Sequence, residues 1–265
     1  MSDFQELASV DGKIGPSAEA TIPLKDDGLY RGDGAFEVIR LYAGEPFALG
    51  EHIDRLGRSG AAIALEFDRV ALGSEIATLL AQAGPVDGQL RLIVTRGGRR
   101  IAATEPVPPH AESVKVATVP YSTTGILDRV KSLSYAANMQ ATRLAKAAGA
   151  DEAVLITAAG TVLEPPTSTV FWAAPDGALR TPALSLPILD SITRDRLVAA
   201  LEVEEGEFPV EDLRGASEAF LASTTREVQA ISAVDGSALP AVPGPRTLEA
   251  QQAFAAVLER ELEGR

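Results

Sequence analysis

The sequence predicts an α+β fold, and three observations predict it. Segments with a period of two and segments with a helical period follow one another along the chain. They do so without the regular strand-helix-strand repeat of a doubly wound parallel sheet. At 265 residues, 46% hydrophobic and 23% charged, the chain is long enough to bury a core as one large domain or two smaller ones.

Ala35 to Tyr42 alternates apolar and polar side chains, the pattern of a half-buried strand. Ala43-Gly44-Glu45 predicts a hairpin turn, with Pro46 to Leu49 resuming the strand. Glu51 to Leu65 carries Ile53, Leu56, Gly60 and Ala61 at helical spacing. Ser74 to Ala83 predicts a second helix, and Gln89 to Arg96 and Val114 to Val119 two further strands. Residues 97–112, rich in Gly, Arg and Pro, predict a surface loop. The polar stretch from Tyr121 places a linker over 121–127, between a small domain at 1–120 and a larger one at 128–265.

In the second half, Ser134 to Ala148 predicts a strong helix that Gly149 ends as a C-terminal cap. Glu152 to Thr157 reads as a buried strand, Gly160 as a turn, and Thr161 to Leu163 as the start of a return strand. Val170 to Ala173 predicts a short strand and Ile192 to Leu201 a helix. Ala219 to Ala222 and Val228 to Ala233 predict strands around a polar turn. Arg246 to Glu263 predicts a terminal amphipathic helix. No internal repeat interrupts this order.

The net charge of −13 disfavours nonspecific nucleic-acid binding, which needs a basic footprint. No apolar run reaches the roughly 18 to 20 residues that span a bilayer. The absence of cysteine excludes disulfides and thiolate metal sites. With only His52 and His110, no His-rich metal site is expected, and a Ser-His-Asp triad would have to use one of these two. The opening residues lack a basic stretch and an apolar core, so no secretory signal is expected and the cytoplasm is the simplest compartment.

Chemistry concentrates in a few places. Lys131 stands between an apolar and a small residue just before the strong helix. It is either solvated, as most lysines are, or partly buried, which would free its lone pair for imine chemistry. Glu164 ends an apolar strand ahead of two prolines, as a plain strand-end charge or a fixed acidic partner. Pro187 to Arg194 is a loop entering a helix, where unpaired N–H groups and the helix dipole favour an anion, and Thr193 adds a hydroxyl. Ser223 to Val228 is a second hydroxyl-rich turn, and Arg55 offers a bidentate guanidinium.

Taken together and in order, these blocks resemble a known family. Tyr30 to Phe47, followed by Glu51-His-Ile-Asp-Arg-Leu56, is similar to the amino-terminal signature of fold-type IV pyridoxal-phosphate (PLP) enzymes. These include branched-chain aminotransferases, D-amino acid aminotransferases and aminodeoxychorismate lyases. Lys131-Ser-Leu-Ser134, Ala148 to Ala153, Glu164 with Val170-Phe171, Ser191 to Arg194 and Ser223 to Val228 extend the resemblance over roughly residues 28 to 235. It implies a small α+β domain, a larger barrel-like α/β domain and a homodimer. It also implies pyridoxal 5'-phosphate as cofactor, with Lys131 as the Schiff-base lysine and proton shuttle. Glu164 would pair with the pyridinium nitrogen. Arg55, Ile192, Thr193 and Thr224 would hold the phosphate, with Ser223 as an extra contact. Two places depart from the family pattern, Pro165 for the usual glycine and Thr169 for the usual asparagine. Branched-chain members usually carry tyrosine five residues after the lysine, where this chain has Ala136.

An amino-acid substrate needs a cation for its carboxylate, and Arg31, Arg96, Arg99 and Arg100 are the candidates. The layout resembles a D-amino acid aminotransferase that lacks the usual Arg-x-His pair, since His110 lies too far on. The reading is therefore transamination between an amino acid, of D configuration, and a 2-oxo acid. Aminodeoxychorismate lyase is the first alternative and a branched-chain aminotransferase the second. A PLP-free binding protein on the same fold is the reading of a different class. His52 is expected to pack the start of its helix and Trp172 to lie in the core. Tyr30 and Tyr135 are expected either to line a pocket or to fill it.

Overall fold

The computed structural model describes residues 6–263. They divide into two units, one running to Pro108 and including Val130–Tyr135, the other made of Pro109–Arg129 and the chain from Ala136 onward. This differs from the expected division at 121–127. The strand at Ser113–Pro120 pairs in parallel with strands of the second unit. Residues 130–135, in turn, bond back to the first.

In the first unit, β1 (Leu7–Val10) and β2 (Lys13–Pro16) form a hairpin turned by Asp11 and Gly12, both at positive φ. A single helical turn, α1 (Asp27–Arg31), is capped by the Asp26 carboxylate and leads into β3 (Gly34–Tyr42). The expected strand over Pro46–Leu49 is cut short. β4 is only Glu45–Pro46, because Ala48 takes a left-handed conformation and starts α2 (Leu49–Ala62). Asp68 caps α3 (Arg69–Ala83) by accepting the Val70 and Ala71 N–H groups. β5 (Gly88–Thr95) and β6 (Arg100–Glu105) form a hairpin through Gly97-Gly98. Residues 100–105 of the expected 97–112 loop are therefore strand, which begins within the Gly-Arg stretch at Arg100. The sheet order is β2-β1-β6-β5-β3-β4 and every pairing is antiparallel. Ile39, Leu41, Leu56, Leu72, Ile76 and Leu92 are buried in its core.

In the second unit, β7 (Ser113–Pro120), α4 (Ala136–Ala147), β8 (Glu152–Ile156) and β9 (Thr169–Ala173) come first. They are followed by β10 (Leu179–Pro182), α5 (Ile192–Ala200), β11 (Glu204–Gly206) and α6 (Val210–Arg214). The chain ends with β12 (Glu218–Ser223), β13 (Glu227–Val234), β14 (Ser237–Ala238) and α7 (Pro245–Glu263). The curled mixed sheet has the order β11-β10-β9-β12-β13-β7-β8, with β14 on β13. β8 and β9 are buried on both faces, which explains their continuous apolar runs. The expected return strand at Thr161–Leu163 is present only as isolated bridges to Ile156 and Pro209. Trp172 is fully buried, as its sequence context predicts, and its indole N–H donates to Asp212 at 2.9 Å. Among the described residues no helix is long and apolar enough to cross a membrane.

Candidate active site

In the first unit, β3 and α2 bring candidate residues together. Buried positions on α2 are His52, Arg55, Leu56, Ser59 and Gly60, a single helical face that carries three polar side chains inward. Opposite them, β3 turns Ala35, Glu37, Ile39 and Leu41 inward, so Glu37 sits in an otherwise apolar row. Its carboxylate accepts Arg55 Nε–H at Oε1 (2.7 Å) and Arg55 Nη2–H at Oε2 (2.7 Å), and bonds His52 Nδ1 at Oε2 (2.8 Å). Burial alone would raise the Glu37 pKa. The Arg55 charge and the Arg55 and His52 hydrogen bonds outweigh it and hold the group at about 2. Burial, reinforced by the Arg55 and Lys131 charges, pushes His52 below its ordinary value despite the opposing pull of Glu37. His52 is thus a neutral ring with Nδ1–H donated to Glu37. Its Nε2 is buried and meets no partner among the described residues.

Lys131 belongs to this same unit although it lies far along the chain. Its carbonyl accepts the Phe36 N–H (3.0 Å), Ala35 and Ser132 form an antiparallel bridge, and Leu133 N–H donates to Gly34 (2.9 Å). The Lys131 N–H donates to Ser59 Oγ at 3.1 Å. A Cβ at Gly34 would come within 2.5 Å of the Val94 carbonyl and 2.6 Å of Leu133, so the close docking of this segment depends on that glycine. Half-buried, Lys131 places Nζ 4.7 Å from the centre of the Phe36 ring, which Tyr135 meets edge-on at 5.3 Å. A lysine held by its own backbone and faced by aromatic carbon is partly desolvated, the condition for a nucleophilic amine.

The second unit, taken by itself, carries the other candidate residues. Glu164 follows Leu163, and its Oε1 accepts the Leu189 N–H at 2.9 Å, so the carboxylate has a fixed direction. Pro165, at the place of the usual glycine, and Pro166 are both buried. At the start of α5 the Ser191 hydroxyl accepts the Arg194 N–H. The amides of Ile192 and Thr193 have no acceptor within the helix by its geometry. Thr193 Oγ1 is buried and meets no partner among the described residues. This group of unmet donors fits a phosphate ester. Ser223 ends β12 and accepts the Arg226 N–H, with Thr224 opening the turn beyond it. Asp195, further along α5, is raised to about 6 by burial and by the neighbouring Asp190 charge.

The four arginines proposed for a substrate carboxylate all hold carboxylates of this chain. Arg31 pairs with Asp27 (2.5 Å) and Arg96 with Asp33 (3.0 Å) and two carbonyls. Arg99 pairs with Asp11 (2.5 Å) and Arg100 with Glu75 (2.7 Å). Asp26, buried and bonded to Thr95, also fixes the hairpin turn that precedes Arg99. Tyr30 is exposed and fills no core. His110 is exposed in the segment after β6.

Sequence reading missed Glu37, His52 as a polar partner, and Ser59. The signal for Glu37 was present: in a strand with period two, it shares a face with Ala35, Ile39 and Leu41. A charge in that row must be paired or neutralised.

Residues 34–234 match the family model described as amino-transferase class IV. A Methanocaldococcus jannaschii protein named as a branched-chain-amino-acid aminotransferase is 31% identical, over 86% of this chain and 87% of its own. The D-alanine aminotransferase of Bacillus licheniformis is 32% identical, over 92% of this chain and 94% of its own. The solved structure of a fold IV-transaminase from Curtobacterium pusillum superposes with a TM-score of 0.84 at 25% identity, covering 95% of this chain and 99% of that one. The chain belongs to the class IV aminotransferases, a family of pyridoxal-phosphate enzymes.

Proposed function

We propose that the protein is a PLP-dependent transaminase that moves an amino group between a D-amino acid and a 2-oxo acid. The observation that carries this reading is the near end-to-end similarity to a D-alanine aminotransferase. A branched-chain relative of comparable similarity supports the second alternative, but Ala136 stands where branched-chain members usually carry tyrosine.

When bound, the cofactor supplies an aldehyde carbon for an amine and an electron sink for the charge left by a departing proton. Lys131 would hold the cofactor, and its Nζ would take the proton from the substrate α-carbon and give one back in the return step. Glu164, oriented by the Leu189 amide, would keep a proton on the pyridine nitrogen. Arg55, Ile192, Thr193, Ser223 and Thr224 would hold the phosphate. A substrate carboxylate bound by Arg31, Arg96, Arg99 or Arg100 exchanges an existing ion pair for a new one. Of the four, Arg31 gives up the most exposed pair. The working form is read as a homodimer in the cytoplasm, without membrane or nucleic-acid partners, and the charge of −13 supports the last point.

Incubation with D-alanine and 2-oxoglutarate tests the reading, with pyruvate and D-glutamate as the expected products. If neither forms and p-aminobenzoate is released from aminodeoxychorismate, the protein is the lyase. A screen in which D- and L-amino acids convert the bound cofactor to its amine form separates the branched-chain alternative.

A further inference from the structure

We propose that Glu37 is the positioning residue of the phosphate-binding arginine: it sets the plane of the Arg55 guanidinium and thereby which edge of it meets the cofactor. The inference rests on the reading of Arg55 as a phosphate ligand and goes beyond it.

Glu37 is fully buried on β3 and faces α2 from a row of Ala35, Ile39 and Leu41. A carboxylate in such a row adds nothing to apolar packing, and its desolvation must be offset by its partners. Its two oxygens grip the Nε and Nη2 edge of Arg55, both at 2.7 Å. The remaining direction of the planar fork, on the Nη1 side, is then fixed. The same carboxylate bonds His52 Nδ1, one turn before Arg55 on α2. Strand, helix and guanidinium are thus tied at one point, and the arginine loses the rotamer freedom that a surface arginine keeps. An anion meeting this fork finds it oriented in advance, which lowers the ordering cost of binding.

A competing electrostatic effect makes the claim testable. Glu37 also neutralises Arg55. If charge were what mattered, removing Glu37 would strengthen phosphate binding. If orientation matters, removing it weakens binding of the phosphate and leaves the rest of the cofactor unaffected.

The experiment measures equilibrium affinity of the apoprotein for pyridoxal 5'-phosphate and for pyridoxal, which lacks the phosphate. Wild type, Glu37→Gln, Glu37→Asp, Arg55→Met and Glu37→Gln/Arg55→Met are compared, with the melting temperature of each apoprotein. The expected result is a phosphate preference reduced at least about tenfold in Glu37→Gln, with pyridoxal affinity unchanged. In the Arg55→Met background the Glu37 substitution should have no further effect on the preference. Glu37→Asp retains the charge and draws the clamp back by one methylene. It should also lower the preference, and it serves as the test if Glu37→Gln does not fold. A preference that stays constant or rises in the Glu37 variants, while Arg55→Met lowers it, overturns the proposal. A preference unaffected by Arg55→Met overturns instead the assignment of Arg55 to the phosphate.

Discussion

The main-chain N–H of Lys131 donates to the hydroxyl of Ser59, 3.1 Å away, one helical turn beyond Arg55 on α2. The bond joins the segment that carries the Lys131 amine to the helix that carries the Arg55 guanidinium. Both ends are held down: Ser59 is 2% exposed, and Lys131 is also bonded through its carbonyl to Phe36.

Replacing Ser59 with alanine removes this acceptor. The expected cost in stability is about 1 kcal/mol, the ordinary net value of one such bond. A small displacement of Lys131 should lower kcat by about tenfold, within the penalty that an ångström of misplacement carries. KM should change little. Urea unfolding and steady-state transamination measure the two effects separately. An unchanged kcat with lowered stability would leave the bond a purely structural role.

Borohydride reduction of the PLP-loaded protein should fix the cofactor on the peptide containing Lys131. Lys131→Ala should lose the adduct and at least about 100-fold in turnover, the lower range for a residue that moves a proton in the transition state. Peptide mapping reads the first result and stopped-flow kinetics the second. An adduct on any other lysine would remove the basis of the functional reading.

Much of this frame was legible in the sequence. The alternation from Ala35 to Tyr42 gives β3, and the spacing of Ile53 and Leu56 gives α2. The helix expected from Ile192 is α5, which the structure shows capped by Ser191. The rest depended on partners distant in sequence. β1, β2 and β6 are stable only as neighbours in one sheet, and the Gly-Arg composition of 97–100 concealed the strand that begins at Arg100. The segment from Lys131 to Leu133 returns to the first unit through main-chain bonds of Lys131 to Phe36 and of Leu133 to Gly34, which no local pattern encodes. The same holds for the arginines. Arg96, Arg99 and Arg100 read as a basic loop, yet Asp33, Asp11 and Glu75 neutralise them one by one.

Glu164→Gln tests whether this side chain serves chemistry or structure. The amide oxygen of glutamine can accept the Leu189 N–H as the carboxylate does, so the fold should be preserved and the melting temperature should shift by only a few degrees. What glutamine cannot do is hold a proton on the pyridine nitrogen. Turnover should fall by at least about 100-fold, and the absorption of the bound cofactor should change as the ring nitrogen loses its proton. Equal losses of stability and turnover would point to structure.

His52 and Glu37 make stability depend on pH in the same direction. Glu37 is held at about 2, so its ion pair stabilises the fold above the ordinary glutamate range and is lost as pH falls through about 2. His52 is depressed, so the unfolded chain takes up its proton first and stability drops as pH falls below the unfolded histidine value of about 6.5. In His52→Gln the loss of stability between about pH 6.5 and 5 should flatten, as followed by thermal melts across that range. A profile unchanged by the substitution would assign the acid sensitivity elsewhere.

Asp195 works in the opposite direction. Burial and the Asp190 charge raise it to about 6, so the folded chain binds this proton more tightly than the unfolded chain does. Between the ordinary aspartate value of about 4 and about 6, the folded state holds the extra proton, and stability falls as pH rises through that window. Above it the ionised Asp195 faces Asp190, near the donors of Ile192 and Thr193, and opposes the fold. Asp195→Asn removes the charge without changing the shape. It should raise stability at pH 7 and leave stability at pH 4 nearly unchanged. Since the side chain is 45% exposed, solvent screens the effect and the gain should be about 1 kcal/mol or less. Denaturation of both proteins at pH 4 and pH 7 provides the comparison. A gain equal at both values would mean that packing, and not the shared negative charge, separates the two side chains.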